Sequence, residues 1–189
     1  MPRIEEAQAK QRHLFFVDAA HFVLQPFLGY LWCFVRVFIQ SNSGRQRFNV
    51  LAALDACTHQ IISVTNDSYI NAESVCTLLS IIRDAFSDGL PITLVLDNAR
   101  YQHCRHVIDF AATLEIELLF LPPYSPNLNL IERLWRFIRK TALSTEYFDA
   151  FPAFKTAIQH CLDHSQTTYR QELQSLLVLK FQTFKNVTS

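Results

Sequence analysis

Short runs of apolar residues alternate with amphipathic segments along most of this 189-residue chain. Short apolar runs rich in β-branched and aromatic residues predict strands, and apolar residues recurring every three or four positions predict helices. The predicted strands are residues 14–20, 32–40, 47–55, 60–65, 92–96 and 116–121. The predicted helices are residues 4–12, 72–86 with Asn71 as its N-cap, 103–114, a segment from Asn127 past Lys140, 151–162 and 169–184.

The order of these elements predicts an α/β fold built on a mixed sheet. The early strands follow one another through short turns and predict an antiparallel meander, whereas the later strands alternate with helices and predict parallel strands covered on both faces. Because such crossovers are right-handed, strand 92–96 should lie beside strand 14–20. Three early strands suffice for this sheet, and the segment 32–40 is the predicted extra one.

One stretch, residues 118–140, links a predicted strand to the helix on which the chemistry depends. Pro122 and Pro123 end the strand, since proline cannot donate to a sheet ladder. The helix that follows carries one acidic side chain, Glu132, beside an apolar stripe that includes Leu134 and Trp135, which we assign to the core. A charge beside a core-facing stripe requires a partner.

Three acids on different elements are candidates for one site. Asp18 interrupts the apolar run 14–20, Asp97 directly follows strand 92–96, and Glu132 lies on the helix. Divalent cations such as Mg²⁺ prefer carboxylate oxygens, and a pair of ions can clamp both oxygens of a phosphoryl displacement. The alternative for each acid alone is a structural cap or a solvated charge, which is how we interpret Asp55 and Asp67.

Three sequence blocks carry a family resemblance: FFVDAAHF, LVLDNARYQH and LPPYSPNLNLIERLW. Their order, and the 34 residues between Asp97 and Glu132, resemble DDE transposases of the mariner superfamily, in the bacterial insertion-sequence (IS-six-thirty type) branch. The resemblance covers residues 14–141. Departures are Gln102, where members often carry histidine, and Asn127 and Leu130, where many carry aspartate and proline.

The resemblance implies a ribonuclease-H-like catalytic domain that performs cut-and-paste transposition of DNA. It implies Asp18, Asp97 and Glu132 as ligands of two Mg²⁺ or Mn²⁺ ions. Around them, Asn98, which follows a ligand, is a candidate to orient water or DNA. His21 and His103 are candidates to contact DNA or tune a carboxylate, with a structural histidine as the alternative.

A basic stripe follows the same helix. Arg133, Arg136 and Lys140 fall at i, i+3 and i+7, with Arg139 adjacent, which places them away from the apolar stripe. A solvated face is the ordinary explanation of such a stripe. Because it shares a helix with a predicted metal ligand, we predict that these four residues contact DNA phosphates.

The composition of the chain limits its possible partners and cellular location. Seventeen basic and seventeen acidic residues balance, so overall charge does not indicate a nucleic-acid partner. Five scattered cysteines without a C-x-x-C pair are typical of a reducing compartment. The chain opens without a secretory signal, and its longest apolar run, 27–39, contains Arg36 and is too short for a bilayer. We therefore expect a cytoplasmic, nucleoid-associated bacterial protein with no membrane partner.

The expected domain organisation is a remnant linker helix over residues 1–13 and a catalytic domain with C-terminal helices over 14–189. Family members find their DNA ends with helix-turn-helix modules, so we expect an upstream part to supply recognition and a homo-oligomer to assemble on element-end and target DNA. The alternatives are a ribonuclease-H-like nuclease without strand transfer and a noncatalytic DNA-binding remnant.

Overall fold

A five-stranded mixed sheet is the centre of the molecule, of which the computed structural model describes residues 2–24, 46–123, 125–144 and 147–181. The strand order is β3-β2-β1-β4-β5, so that β1 is central. The strands are β1 (His13–Val23), β2 (Arg47–Asp55), β3 (Ile61–Asn66), β4 (Ile92–Leu96) and β5 (Ile116–Phe120). The predicted strand 32–40 lies outside the described residues.

The sheet has the mixed topology that the sequence predicts. The β1–β2 and β2–β3 pairs are antiparallel, and the β1–β4 and β4–β5 pairs are parallel. The predicted position of β4 beside β1 is confirmed, with Val17 opposite Leu96 as the last residue pair. Since β1 continues to Val23, its second half pairs with β2 beyond the point where its pairing with β4 ends.

Helices cover both faces of the sheet. The described helices are α1 (Pro2–Gln8), α2 (Ala72–Ala85), α3 (Arg105–Thr113), α4 (Ile131–Ile138), α5 (Phe151–Asp163) and α6 (Arg170–Leu176). Alternate residues of β1 separate the two cores: Phe15 packs with residues of α2 and α3, and Phe16 packs with residues of α4, α5 and α6. Asn71 caps α2 with a reciprocal capping box, as its position before an apolar stripe predicts.

Three predicted helices have clearly different limits in the structure, the first being the helix predicted over 4–12, which is α1 and ends at Gln8. The segment predicted to be helical from Asn127 forms a 3₁₀ turn, Pro126–Leu128, before α4 begins at Ile131, and α4 continues into a π-helical turn, Arg139–Leu143. The helix predicted over 169–184 ends at Leu176, and the carbonyl groups of Leu176 and Val178 accept hydrogen bonds from Arg133. Residues 182–184 of this prediction lie outside the described part of the chain.

The N-terminal helix packs on the sheet edge. Ala7 is buried, and Arg3 and Arg12 form ion pairs with Glu117 of β5 at 2.7 and 3.0 Å. Glu117 also accepts a hydrogen bond from buried Thr93 of β4. The segment expected to be a linker is therefore held against β4 and β5 by a charged network.

The described residues can be compared with the predictions on membrane spans and on cysteine pairing. None of the described helices is long and apolar enough to cross a membrane. The four cysteines in the described ranges, Cys57, Cys76, Cys104 and Cys161, are all free thiols.

Candidate active site

Asp18 and Asp97 are brought together by the register of two parallel strands. Val17 and Leu96 form the last pair of β1 and β4, and each acid is the next residue of its chain. Asp18 is two residues after Phe16, and residues two apart on a strand point to the same face of the sheet. Because Phe16 packs in the core on the α4 side, the Asp18 side chain also lies on that face. The end of β4 beside the middle of β1 thus positions two carboxylates side by side.

The third acid arrives on α4, whose start is fixed by the loop before it. Asn129 is buried, and its Nδ2 donates to the Val17 carbonyl oxygen at 3.3 Å, while its Oδ1 accepts from the Ile131 N–H at 3.4 Å. Glu132 stands three residues after Asn129, in the first turn of α4. This loop therefore connects the position of Glu132 directly to β1.

One cleft contains all three acids. It has a volume of about 470 Å³. Its lining residues are Asp18, Asp97, Asn98, Ala99, Leu121, Pro122, Pro123, Ser125, Asn129 and Glu132. The turn that sequence analysis singled out, with its two prolines, therefore forms one wall of the cleft, and the predicted triad and Asn98 converge there.

Asp18 is the acid whose ionisation the structure perturbs most clearly. The pKa of its carboxyl is raised to about 7, chiefly by burial and also by the negative charges of Asp97 and Glu132, against the opposing hydrogen bonds from Ala19 and Trp135. The Trp135 indole Nε1 donates to Asp18 Oδ2 at 2.9 Å. A nearby cation would stabilise the charged form of a carboxyl group that is buried beside two other acids.

The negative charges of the cleft also affect Tyr101, which lies in the loop after β4. Its pKa is raised to about 12 by burial and by the charges of Asp97 and Asp18. Its hydroxyl therefore stays protonated throughout the physiological range and can act only as a neutral hydrogen-bonding group.

The donor set fits a divalent cation. Three carboxylates from three separate elements supply the hard oxygen ligands that Mg²⁺ and Mn²⁺ prefer. Within the described ranges, however, no three histidine, cysteine or acidic side chains are already gathered as a metal-binding group. Like charges in one cleft repel each other, and a bound cation is what would draw these carboxylates together.

Both histidines predicted to surround the acids lie away from the cleft. His21 follows the alternation of Phe15 and Val17, so it lies on the α2–α3 face of β1, where its Nδ1 pairs with Asn49 Oδ1 at 2.6 Å. The His103 ring packs edge-on against Phe120, with ring centroids 4.4 Å apart. Neither is among the described residues that line the cleft. For His21, proximity in sequence did not give proximity in space, because alternate strand positions point to opposite faces of the sheet.

Four basic residues of the predicted DNA-binding stripe occupy different environments. Arg136, Arg139 and Lys140 are exposed, and the Arg139 guanidinium lies 5.6 Å from the Phe22 ring centroid. Arg133 is partly buried and donates to the carbonyl oxygens of Leu176, Val178 and Lys180 at 3.2, 2.6 and 2.6 Å. Its donors are therefore directed at the chain after α6.

We expect Arg133→Ala to destabilise the fold by about 1–3 kcal/mol, because it removes charge-assisted hydrogen bonds to three carbonyl groups. Arg136→Ala is the matched control, since Arg136 is exposed on the same helix, and its effect should stay within about 0.5 kcal/mol. Urea unfolding measures both changes. Equal free energies of unfolding for the two variants would contradict a structural role of Arg133.

A second groove adjoins the acidic cleft. It has a volume of about 730 Å³ and shares Asn129 and Glu132 with the cleft. Its other lining residues are Asn127, Arg133, Arg136, Leu176, Val178 and Lys180. Lys180 lies inside the helix predicted over residues 169–184, and no local sequence pattern signals that the chain after α6 returns to α4.

Family comparison identifies the chain. The profile of the DDE superfamily endonuclease family matches residues 13–155, which include all three acids of the cleft. The chain belongs to this family. Membership agrees with the resemblance carried by the three sequence blocks, and the matched region spans the whole sheet and ends within the first turns of α5.

Solved structures of DDE enzymes share the fold. The catalytic domain of Mos1 mariner transposase is 15% identical, with a TM-score of 0.59 over 92% of this chain and 82% of that chain. The Mos1 mariner paired-end complex with Mn is 14% identical, with a TM-score of 0.61 over 96% of this chain and 60% of that chain. The predicted ribonuclease-H-like mixed sheet flanked by helices is therefore confirmed.

A curated relative matches part of the chain. It is an uncharacterized protein of Sinorhizobium fredii, y4pE/y4sA, which is 34% identical over 94 residues. The match covers 49% of this chain and 64% of that protein. In the Mos1 strand transfer complex, likewise, the chain spans 59% of the transposase it matches, with 16% identity, 96% coverage of this chain and a TM-score of 0.58.

Proposed function

We propose that this chain is the catalytic domain of a DNA transposase that cuts and joins DNA strands with divalent metal ions. The observation that carries the proposal is the convergence of Asp18, Asp97 and Glu132, from β1, the end of β4 and α4, in one cleft. Membership of the DDE superfamily endonuclease family supports it.

In this proposal the three carboxylates hold two Mg²⁺ or Mn²⁺ ions. When bound, such ions supply Lewis acidity to the phosphate and lower the pKa of water. Asp18 and Asp97 contribute from neighbouring strands and Glu132 from the opposite wall. Asn98, beside Asp97 in the cleft lining, has an amide that can orient water or a DNA oxygen.

The proposed reaction has two displacements at phosphorus. In the first, water attacks a phosphodiester and the bond to the 3′ oxygen breaks, which leaves a 3′ hydroxyl and a 5′ phosphate. In the second, that 3′ hydroxyl attacks a phosphodiester of target DNA, and the target's own 3′ oxygen leaves. Neither step forms a bond to the protein.

The second groove is the proposed path for the DNA backbone toward the acids. Arg136 lines it, Lys180 contributes its wall, and Arg139 and Lys140 continue the exposed basic surface of the same helix. Phosphate contacts of this kind position DNA without reading its sequence. Arg133 lines the groove and also holds the carbonyl groups of Val178 and Lys180 through hydrogen bonds.

Arg136→Ala should weaken DNA binding about equally for all sequences and reduce the salt slope of the binding constant by about one, because one phosphate contact and its released counterion are lost. Fluorescence anisotropy at several salt concentrations measures this slope. Arg105→Ala on α3, an exposed arginine on the other face of the sheet, is the control. An unchanged slope for Arg136→Ala would contradict the proposed path.

The test of the function is a pair of assays with Mn²⁺ or Mg²⁺ and with EDTA. Metal-dependent nicking of plasmid DNA separates an enzyme from a noncatalytic remnant. Joining of a pre-cut 3′ end to plasmid separates a transposase from a nuclease that only hydrolyses. We expect both products from the chain together with whatever part recognises the element end, and joining without metal would contradict the proposal.

Two partners complete the proposal. Synapsis of two element ends requires at least two catalytic domains, so we propose a homo-oligomer assembled on double-stranded DNA. We also propose that a helix-turn-helix part reads the element end, and that the element is an insertion sequence of the IS-six-thirty branch in a bacterial nucleoid.

A further inference from the structure

Two side chains from the loop and helix that carry Glu132 reach across to β1. The Trp135 Nε1–H donates to Asp18 Oδ2 at 2.9 Å, and the Asn129 Nδ2–H donates to the Val17 carbonyl oxygen at 3.3 Å. Val17 and Asp18 are consecutive, and the pairing of β1 with β4 ends at Val17. Helix α4 is thus attached to β1 at the point where β1 carries its acid.

We infer that Trp135 is a positioning residue of the acidic cleft, which orients the Asp18 carboxylate for a divalent cation, and that Asn129 fixes the distance between Glu132 and β1. This inference rests on the proposed function. It assigns Trp135 a role beyond the core packing that its place in the apolar stripe indicates.

The surroundings of Trp135 allow it to hold a carboxylate in place. Its side chain is 1% exposed, and Phe22 of β1 packs edge-on against it with ring centroids 6.1 Å apart. An indole fixed on all sides has one N–H donor and no freedom to follow a moving partner. Asp18 Oδ2 is therefore held by the core, while the Asp18 carboxyl group lines the cleft.

Packing alone does not require this hydrogen bond. A phenylalanine at position 135 would fill most of the same volume and leave Asp18 without its side-chain donor. Partners that orient metal ligands in this way typically change metal affinity about tenfold to hundredfold when removed. The effect on a bound cation separates a positioning role from a purely structural one.

The decisive variant is Trp135→Phe, compared with Phe22→Leu. Both perturb the same buried contact, but only Trp135→Phe removes the N–H. Mn²⁺ binding, followed through the electron paramagnetic resonance signal of free Mn²⁺, should weaken about tenfold to hundredfold in Trp135→Phe and less than threefold in Phe22→Leu. High Mn²⁺ should restore nicking by Trp135→Phe, because the loss lies in the apparent metal constant.

A second measurement needs no variant of Trp135. In the ¹⁵N-labelled wild-type protein the Trp135 indole resonance should shift on Mg²⁺ addition, and Asp18→Asn should abolish the shift. Trp32 gives the other tryptophan indole resonance of the chain. Equal Mn²⁺ affinity of Trp135→Phe and wild type, or an unmoved indole resonance, would overturn the inference alone. A wild-type protein that binds no Mn²⁺ would overturn the proposed function with it.

Discussion

At pH 8 and without divalent ions, the Asp18→Asn protein will be more stable than the wild type. Burial and the neighbouring acids raise the pKa of Asp18 from 3.8 to about 7, so the folded state favours the protonated form. Above pH 7 the Asp18 carboxyl is charged in both the folded and the unfolded protein. The folded wild type is then destabilised by the full free energy of holding this charge in a buried position. At about 1.4 kcal/mol per pKa unit, this destabilisation is on the order of 4 kcal/mol.

The stability difference between Asp18→Asn and the wild type should depend on pH. A raised carboxyl pKa destabilises the folded state progressively as pH rises from about 4 to 7, and the cost vanishes below the unfolded value. Asparagine cannot ionise, and its side-chain oxygen can still accept from Trp135. Urea unfolding in EDTA should therefore show a gap between the two proteins that is large at pH 8 and small near pH 4.

With Mn²⁺ present, the wild type should become more stable than Asp18→Asn, because it gains free energy from metal binding that the variant lacks. A stability gap that is independent of pH would show that Asp18 is not the titrating group.

Asp97→Asn should abolish DNA nicking while the fold is retained. The amide replaces a charged ligand with a neutral one, and a catalytic cation supplies several kcal/mol of transition-state stabilisation. A loss of about 4 kcal/mol corresponds to roughly a thousandfold slower cleavage. Plasmid nicking rates in Mn²⁺ measure the effect, and thermal unfolding verifies the fold.

Asp67→Asn is the matched control for that experiment. Asp67 is an acid of the same type that pairs with Lys155 at 2.6 Å, outside the residues that line the acidic cleft. Its nicking rate should stay within about twofold of the wild type. Normal nicking by Asp97→Asn would rule out Asp97 as a metal ligand.

Strand positions were predictable because apolar runs report burial directly. The predicted segments 47–55 and 92–96 coincide with β2 and β4, whose residues are almost all buried. The convergence of the three acids was also predictable, because parallel neighbours end at the same edge of a sheet and the helix after the next strand crosses it.

Details that depend on contacts between distant parts of the chain were not predictable. Helix α4 begins later than predicted because Asn129 uses its side chain on the Val17 carbonyl, 112 residues earlier. Arg133 could not be separated from the other basic residues, since its partners lie beyond α6. Trp135 was assigned to the core, and only the fold reveals that Asp18 accepts its N–H.

The most direct test of the central claim is crystallographic. Crystals of the chain soaked in Mn²⁺ should show anomalous scattering peaks in the cleft, within direct ligand distance of Asp18, Asp97 and Glu132, at about 2.0–2.3 Å. Crystals of Asp97→Asn should lose at least one of these peaks. Strong peaks only outside the cleft, with the three carboxylates unmoved, would contradict the account.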